Sequence, residues 1–88
     1  MRIKRIETSA KFDRSFSKLS LDIQKETIKR KIIFKQNLYD SRLRTHKLKG
    51  QLQNYWSFSI NHSHRIVFKF INKNEVMFYD IGDHRIYQ

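Results

Sequence analysis
Residues 55–81 read YWSFSI-NHS-HRIVFKFI-NKN-EVMFYDI, and their periodicity decides the architecture. Trp56, Phe58 and Ile60 alternate with Tyr55, Ser57 and Ser59. Ile66, Phe68 and Phe70 alternate with Arg65, Val67 and Lys69, and Val76 and Phe78 with Met77, Tyr79 and Ile81. Successive side chains of a strand point to opposite faces, so a period of two marks half-buried strands. The links Asn61-His62-Ser63 and Asn72-Lys73-Asn74 are short and Asn-rich. Asn tolerates the left-handed backbone of tight turns, and short links join antiparallel neighbours, so a three-stranded meander is expected. Arg65 and Lys69 fall on the partly open face, away from Ile66, Phe68 and Phe70.

Upstream the period becomes helical. Ser9 is a candidate N-cap for a helix carrying Phe12, Phe16 and Leu19 at i, i+4 and i+7. Ser20 is a second candidate N-cap, with Asp22 near the positive end of the helix dipole, and the helical pattern runs from Leu21 to about Tyr39. Leu21, Ile28, Ile32 and Tyr39 line one stripe of this helix, while Ile23, Phe34 and Leu38 line another. The two helices meet at Leu19-Ser20-Leu21 and should form an αα-hairpin. Residues 2–7 are a candidate short strand, and residues 40–53 read as a loop with Gly50 as its hinge. The expected fold class is α+β: a small antiparallel β-sheet packed on an N-terminal αα-hairpin, in the order (β)ααβββ, as one domain spanning 1–88.

Charge points to the partners. Among 88 residues, 19 Lys and Arg face 8 Asp and Glu, a net +11. The first 50 residues hold 15 of those cations and 5 of the acids, so nearly the whole excess lies there. Such a field draws polyanions, nucleic acid above all, or an acidic protein. A helix with two apolar faces lies between layers or offers one face to another chain. An acidic partner is therefore expected across helix 20–39 on its Ile23, Phe34 and Leu38 face. There is no cysteine, which removes disulfides and thiolate zinc sites. No apolar run approaches the ~18 residues of a membrane span, and the opening MRIKRIET has no apolar signal core. A soluble, cytoplasmic protein without membrane contact is expected.

The chemistry narrows by exclusion. Gly50 and Gly82 are the only glycines, so there is no Gly-rich phosphate loop, and neither G-x-S-x-G nor H-E-x-x-H occurs. His62-x-His64 reads as two polar residues beside a turn rather than as a metal site; no metal and no cofactor is expected. His46, Lys47 and Lys49 stand in the loop entering the sheet, Arg65 opens the second sheet strand, and His84 and Tyr87 follow the last strand. In a meander the starts and ends of alternate strands share an edge, so these segments are expected to converge. The set suits phosphodiester cleavage. One group takes the proton of a ribose 2′-OH, a cation stabilises charge on phosphorus, and an acid protonates the leaving 5′-oxygen.

Two runs carry a family resemblance. Trp56-Ser57-x-x-Ile60-x-x-x-His64-Arg65-Ile66-Val67-Phe68 resembles the core of the RelE/ParE superfamily of bacterial toxins, with YoeB-type members nearest in texture. His46-Lys47-Leu48-Lys49-Gly50 and the ending Asp80-Ile81-Gly82-Asp83-His84-Arg85-Ile86-Tyr87 are similar to YafQ-type members. The resemblance implies an antiparallel sheet carrying an αα-hairpin, and a toxin of a type II toxin–antitoxin system. It implies an endoribonuclease cutting mRNA on the ribosome without metal, leaving a 2′,3′-cyclic phosphate or 3′-phosphate. The implied partner is a cognate acidic antitoxin, the complex of the two binding operator DNA. By position, Arg65 matches the arginine at the scissile phosphate and His84 the C-terminal histidine assigned as general acid. His46 falls where YoeB types have a glutamate base and YafQ types a histidine, and Tyr87 fits the closing aromatic. Lys47 and Lys49 resemble RNA-holding lysines, and Lys69 and Arg85 join them as expected RNA contacts. His64 stands where YafQ types use an aspartate, which leaves acid and base unassigned between His46 and His84. ParE-type members share the fold but inhibit DNA gyrase and lack this Arg/His set, which makes a non-catalytic gyrase inhibitor the alternative.

Overall fold
Two serines start the helical layer. In the computed structural model, which describes residues 1–87, β1 (Arg5–Thr8) leads into α1 (Ala10–Ser17) and α2 (Leu21–Gln36). Ser9 Oγ accepts the Phe12 N–H at 2.9 Å, and Ser20 Oγ accepts the Ile23 N–H at 3.3 Å. Each serine satisfies an amide that the first helical turn leaves without a partner.

The remaining strands are β2 (His46–Lys47), β3 (Trp56–Ser59), β4 (Arg65–Asn72) and β5 (Glu75–Gly82). The sheet has five strands in the order β1-β5-β4-β3-β2. β3, β4 and β5 form the antiparallel meander; β2 joins β3 antiparallel, and β1 joins β5 in parallel. The sheet is thus α+β in setting but mixed, because β1 reaches β5 only after the helical hairpin has crossed over, as a parallel pair requires. The first strand lies at Arg5–Thr8 rather than at 2–7. Residues 40–53 hold β2 and two 3-10 turns, Ser41–Leu43 and Gly50–Leu52. A two-residue strand is too short to show a period. Gly50 has φ +71°, the left-handed conformation its hinge position uses.

Phe34 of α2 sits at the centre of the core, fully buried, with ring centroids 4.5, 5.0 and 5.4 Å from Phe58, Phe68 and Phe78. Leu38 and Leu43 are buried beside it, and Phe12 of α1 closes on Phe78 at 5.5 Å. This corrects the assignment of Ile23, Phe34 and Leu38 to a partner. Phe34 and Leu38 are core and Ile23 is half-buried, while Leu21, Ile28 and Ile32 on the other side are open, 70%, 55% and 57% exposed. A phenyl ring among three others buries more area than any pairing of the aliphatic stripe would, so α2 turns Phe34 inward. Ile81 is also corrected: it is buried and pairs with Ile66. Phe68 pairs with Phe78 but Val67 with Asp80, so Tyr79 is an extra residue and this β-bulge returns Ile81 to the core face. Among the described residues no helix is long and apolar enough to cross a membrane.

Candidate active site
Strand register gathers the polar residues of the open face. His46 stands opposite Ser57, and Ser59 opposite Arg65. Paired residues share a face, so these four lie away from Phe58, Ile60 and Ile66, which are buried on the helix side. At the β2–β3–β4 end the surface sinks into a cleft of about 490 Å³. Its lining comes from three places: Arg30 of α2; Arg42, Arg44 and His46 of the approach to β2; and Ser59, Asn61, His62 and Arg65 around the β3–β4 turn. Among the described residues no carboxylate lines it.

The four guanidiniums are not equivalent. Arg42 holds Asp40 through two contacts of 2.9 Å from Nε and Nη2. The Arg42 hydrogen bond pulls the Asp40 carboxyl down to about 2. Arg30 reaches Glu26 at 3.2 Å and donates to the Arg42 carbonyl at 2.8 Å, which ties the loop to α2. Among the described residues Arg44 and Arg65 pair with no carboxylate. Arg65 Nε is buried without any hydrogen-bond partner. A buried donor left unmet costs about 1–3 kcal/mol.

His46 has a defined tautomer. Its Nδ1 lies 2.9 Å from the Arg44 carbonyl oxygen. A carbonyl only accepts, so Nδ1 carries the hydrogen, and Nε2 is the ring nitrogen left to act as a base. Arg44 itself ends the Ser41–Leu43 turn in the left-handed region, φ 52°.

The other residues singled out in the sequence disperse. Tyr87 shares a 2.6 Å hydrogen bond with buried Ser57, the residue opposite His46, so it adjoins the same face. It also lines a hollow of about 360 Å³ with Lys49, Leu48, Gln51 and Leu52. Lys47 pairs with Trp56 and so stands on the helix-side face, apart from His46. His84 is exposed on the closing 3-10 turn, His84–Tyr87, and does not line the Arg65 cleft. Arg85 grips Asp83, whose carboxyl it holds well below the usual range. Lys69 lies over the Tyr55 ring at 5.8 Å, farther along β4. His62 and His64 part company: His62 lines the cleft, and His64 Nδ1 meets Ser63 Oγ at 2.9 Å. The expected single cluster is therefore smaller than the sequence implies, because residues one apart on a strand face opposite ways. Arg30, Arg42, Arg44, Ser59 and His62 were not among the candidates. The alternation Arg42-x-Arg44-x-His46 is the signal that marks two of them.

No family model matches the chain, and no curated protein matches it by sequence. Solved structures do. A YoeB/ParE toxin from Agrobacterium tumefaciens superposes with TM-score 0.76 at 14% identity, over 91% of this chain and 98% of that one. The YoeB of Staphylococcus aureus, solved as a dimer and in complex with YefM, gives 0.72 at 22%, over 96% and 99%. YafQ from E. coli gives 0.70 at 14%, over 99% and 98%. At these identities the likeness is one of fold: the chain has the fold of the RelE/ParE toxins, of the YoeB and YafQ type.

Proposed function
We propose that this chain is the toxin of a type II toxin–antitoxin pair and an endoribonuclease that cuts messenger RNA on the ribosome. One observation carries the reading: among the described residues Arg65 has no carboxylate partner, and it lines a cleft shared by three more arginines and two histidines and by no described acid. That is a receptor for a phosphodiester. The Arg65 fork suits the two non-bridging oxygens, and it suits them better as charge grows in the pentacoordinate state. His46 Nε2, held ready by the Arg44 carbonyl, takes the 2′-OH proton. Arg44 adds a second cation without a carboxylate partner; Lys47, Lys49 and Lys69, outside the cleft, add longer-range attraction for the RNA backbone, and Arg85, paired with Asp83, adds less.

The partner is a cognate acidic antitoxin, docking on α2. Leu21, Ile28 and Ile32 recur at i, i+7 and i+11, one open stripe, and Lys25, Lys29, Lys31 and Lys35 are exposed along its sides. An amphipathic helix with acidic flanks matches both features, whereas a second copy of this chain would set cation against cation. Solved complexes of YoeB with YefM and of RelBE2 support such a partner. Operator DNA is reached through that complex.

The test is purified protein in a translation extract, with a parallel gyrase supercoiling assay. Cleaved message supports the reading. Intact message with blocked supercoiling overturns it in favour of the gyrase inhibitor.

A further inference from the structure
A 2′-OH attack needs a proton donor for the 5′-oxygen as well as a base, and the cleft holds a second imidazole besides His46. We infer that His62, on the β3–β4 turn, is that donor and that His84 is not. The inference rests on the ribonuclease reading above. His62 lines the cleft together with His46 and Arg65, whereas His84 stands on the closing 3-10 turn outside it.

The turn holds its backbone firmly. Asn61 Oδ1 accepts from the Ser63 N–H and the His64 N–H, both at 2.8 Å, and from Ser63 Oγ at 3.0 Å. The Ile60 N–H donates to the His64 carbonyl at 2.9 Å and closes the loop at its base. His62 is the turn residue whose side chain this network leaves uncommitted: its ring makes no hydrogen bond among the described residues, and it is exposed to solvent that can reload it. The charged and titratable groups that share the cleft with it are Arg30, Arg42, Arg44, Arg65 and His46. With no acid among them, an imidazole is the cleft's group able to hold a proton and give it up.

The step balances. His46 Nε2 takes the proton of the 2′-OH, and the 2′-oxygen forms its bond to phosphorus. The bond from phosphorus to the 5′-oxygen breaks, and its electron pair stays on that oxygen. The oxygen takes the proton that His62 held. The products are a 2′,3′-cyclic phosphate and a free 5′-hydroxyl, with His46 protonated and His62 neutral. Exchange with water restores both.

A leaving group that needs no acid separates this role from a structural one. Single-turnover cleavage would be measured on ribosome-bound message carrying either the natural 5′-oxygen or a 5′-bridging sulfur at the cut. Thiolate departs without a proton, so the acid becomes dispensable. His62→Gln is expected to lose about 10²–10⁴-fold on the oxygen substrate, to recover most of that on the sulfur substrate, and to lose the alkaline limb of its pH–rate profile. His84→Gln is expected to show no such rescue by sulfur. Arg65→Ala is expected to be slow on both, since its charge acts on phosphorus. His62→Gln within a few fold of wild type, or equally slow on both substrates, overturns the inference, as does a loss in His84→Gln that sulfur rescues. Wild-type protein that cuts neither substrate, beside a gyrase assay that is inhibited, overturns the ribonuclease reading instead.

Discussion
Arg44 is the one non-glycine residue with a left-handed backbone among those described, φ 52°, and it is exposed. Its carbonyl fixes the His46 tautomer, and its guanidinium lines the cleft. Strain kept at such a place points to use rather than to packing. Arg44→Gly should therefore raise stability to denaturant by up to about 1 kcal/mol, since glycine takes this conformation without a Cβ penalty. The same change should weaken RNA association; tighter binding or a loss of stability contradicts the account. Asp40 gives a pH dependence. Its carboxyl is held at about 2 against an ordinary 3.8 by the hydrogen bond from Arg42. A depressed carboxylate contributes stability above its unfolded value and loses it as pH falls through the folded one, so the window is about pH 4 down to about pH 2. Across that window the Arg42 amide, which donates to Asp40 Oδ1 at 3.0 Å, should lose hydrogen-exchange protection ahead of the β4 core. Equal protection of both throughout would argue against an acid-sensitive loop.

At the scale of elements, α2 separates core from surface on one helix. Phe34→Ala removes the ring that touches Phe58, Phe68 and Phe78, and should cost about 3–5 kcal/mol, a large share of a small domain's stability. Ile28→Asp with Ile32→Asp, more than half exposed, should change stability by only about 0.5 kcal/mol each. Yet the pair should abolish antitoxin co-purification. Retained co-purification moves the antitoxin to another face. The sequence contains both stripes, and the expectation that Ile23, Phe34 and Leu38 face a partner is reversed by the packing of Phe34 and Leu38. Spacing shows that two faces exist, and only the aromatic layer presented by β3, β4 and β5 decides between them. The meander, the two serine caps and the hairpin were legible because long periodic runs and capping residues are local signals. β2 and the β5 bulge were not. Two residues carry no period, and a bulge is a property of the pairing rather than of one strand. The site was half legible for the same reason: Arg65 and His46 stood out by type, but which neighbours share their face depends on register.

Taken whole, the molecule carries +11, nearly all of it in its first 50 residues, which include α2 and the approach to β2. Association with RNA or ribosomes should weaken steeply with salt, by about 0.7–0.9 in logarithmic slope for each phosphate neutralised. Lys47→Ala with Lys49→Ala should flatten that slope and lower affinity for all sequences alike. An association that ignores salt removes the electrostatic part of the account. The central claim is that Arg65 stabilises charge as it develops on phosphorus, and its fork, unlike a point charge, reaches two oxygens at once. Single-turnover cleavage of ribosome-bound message by wild-type protein and Arg65→Ala, with binding measured separately, tests it most directly. The account predicts a loss of about 10²–10³ in cleavage rate with binding little changed, and partial recovery in Arg65→Lys. Cleavage by Arg65→Ala at the wild-type rate would contradict it.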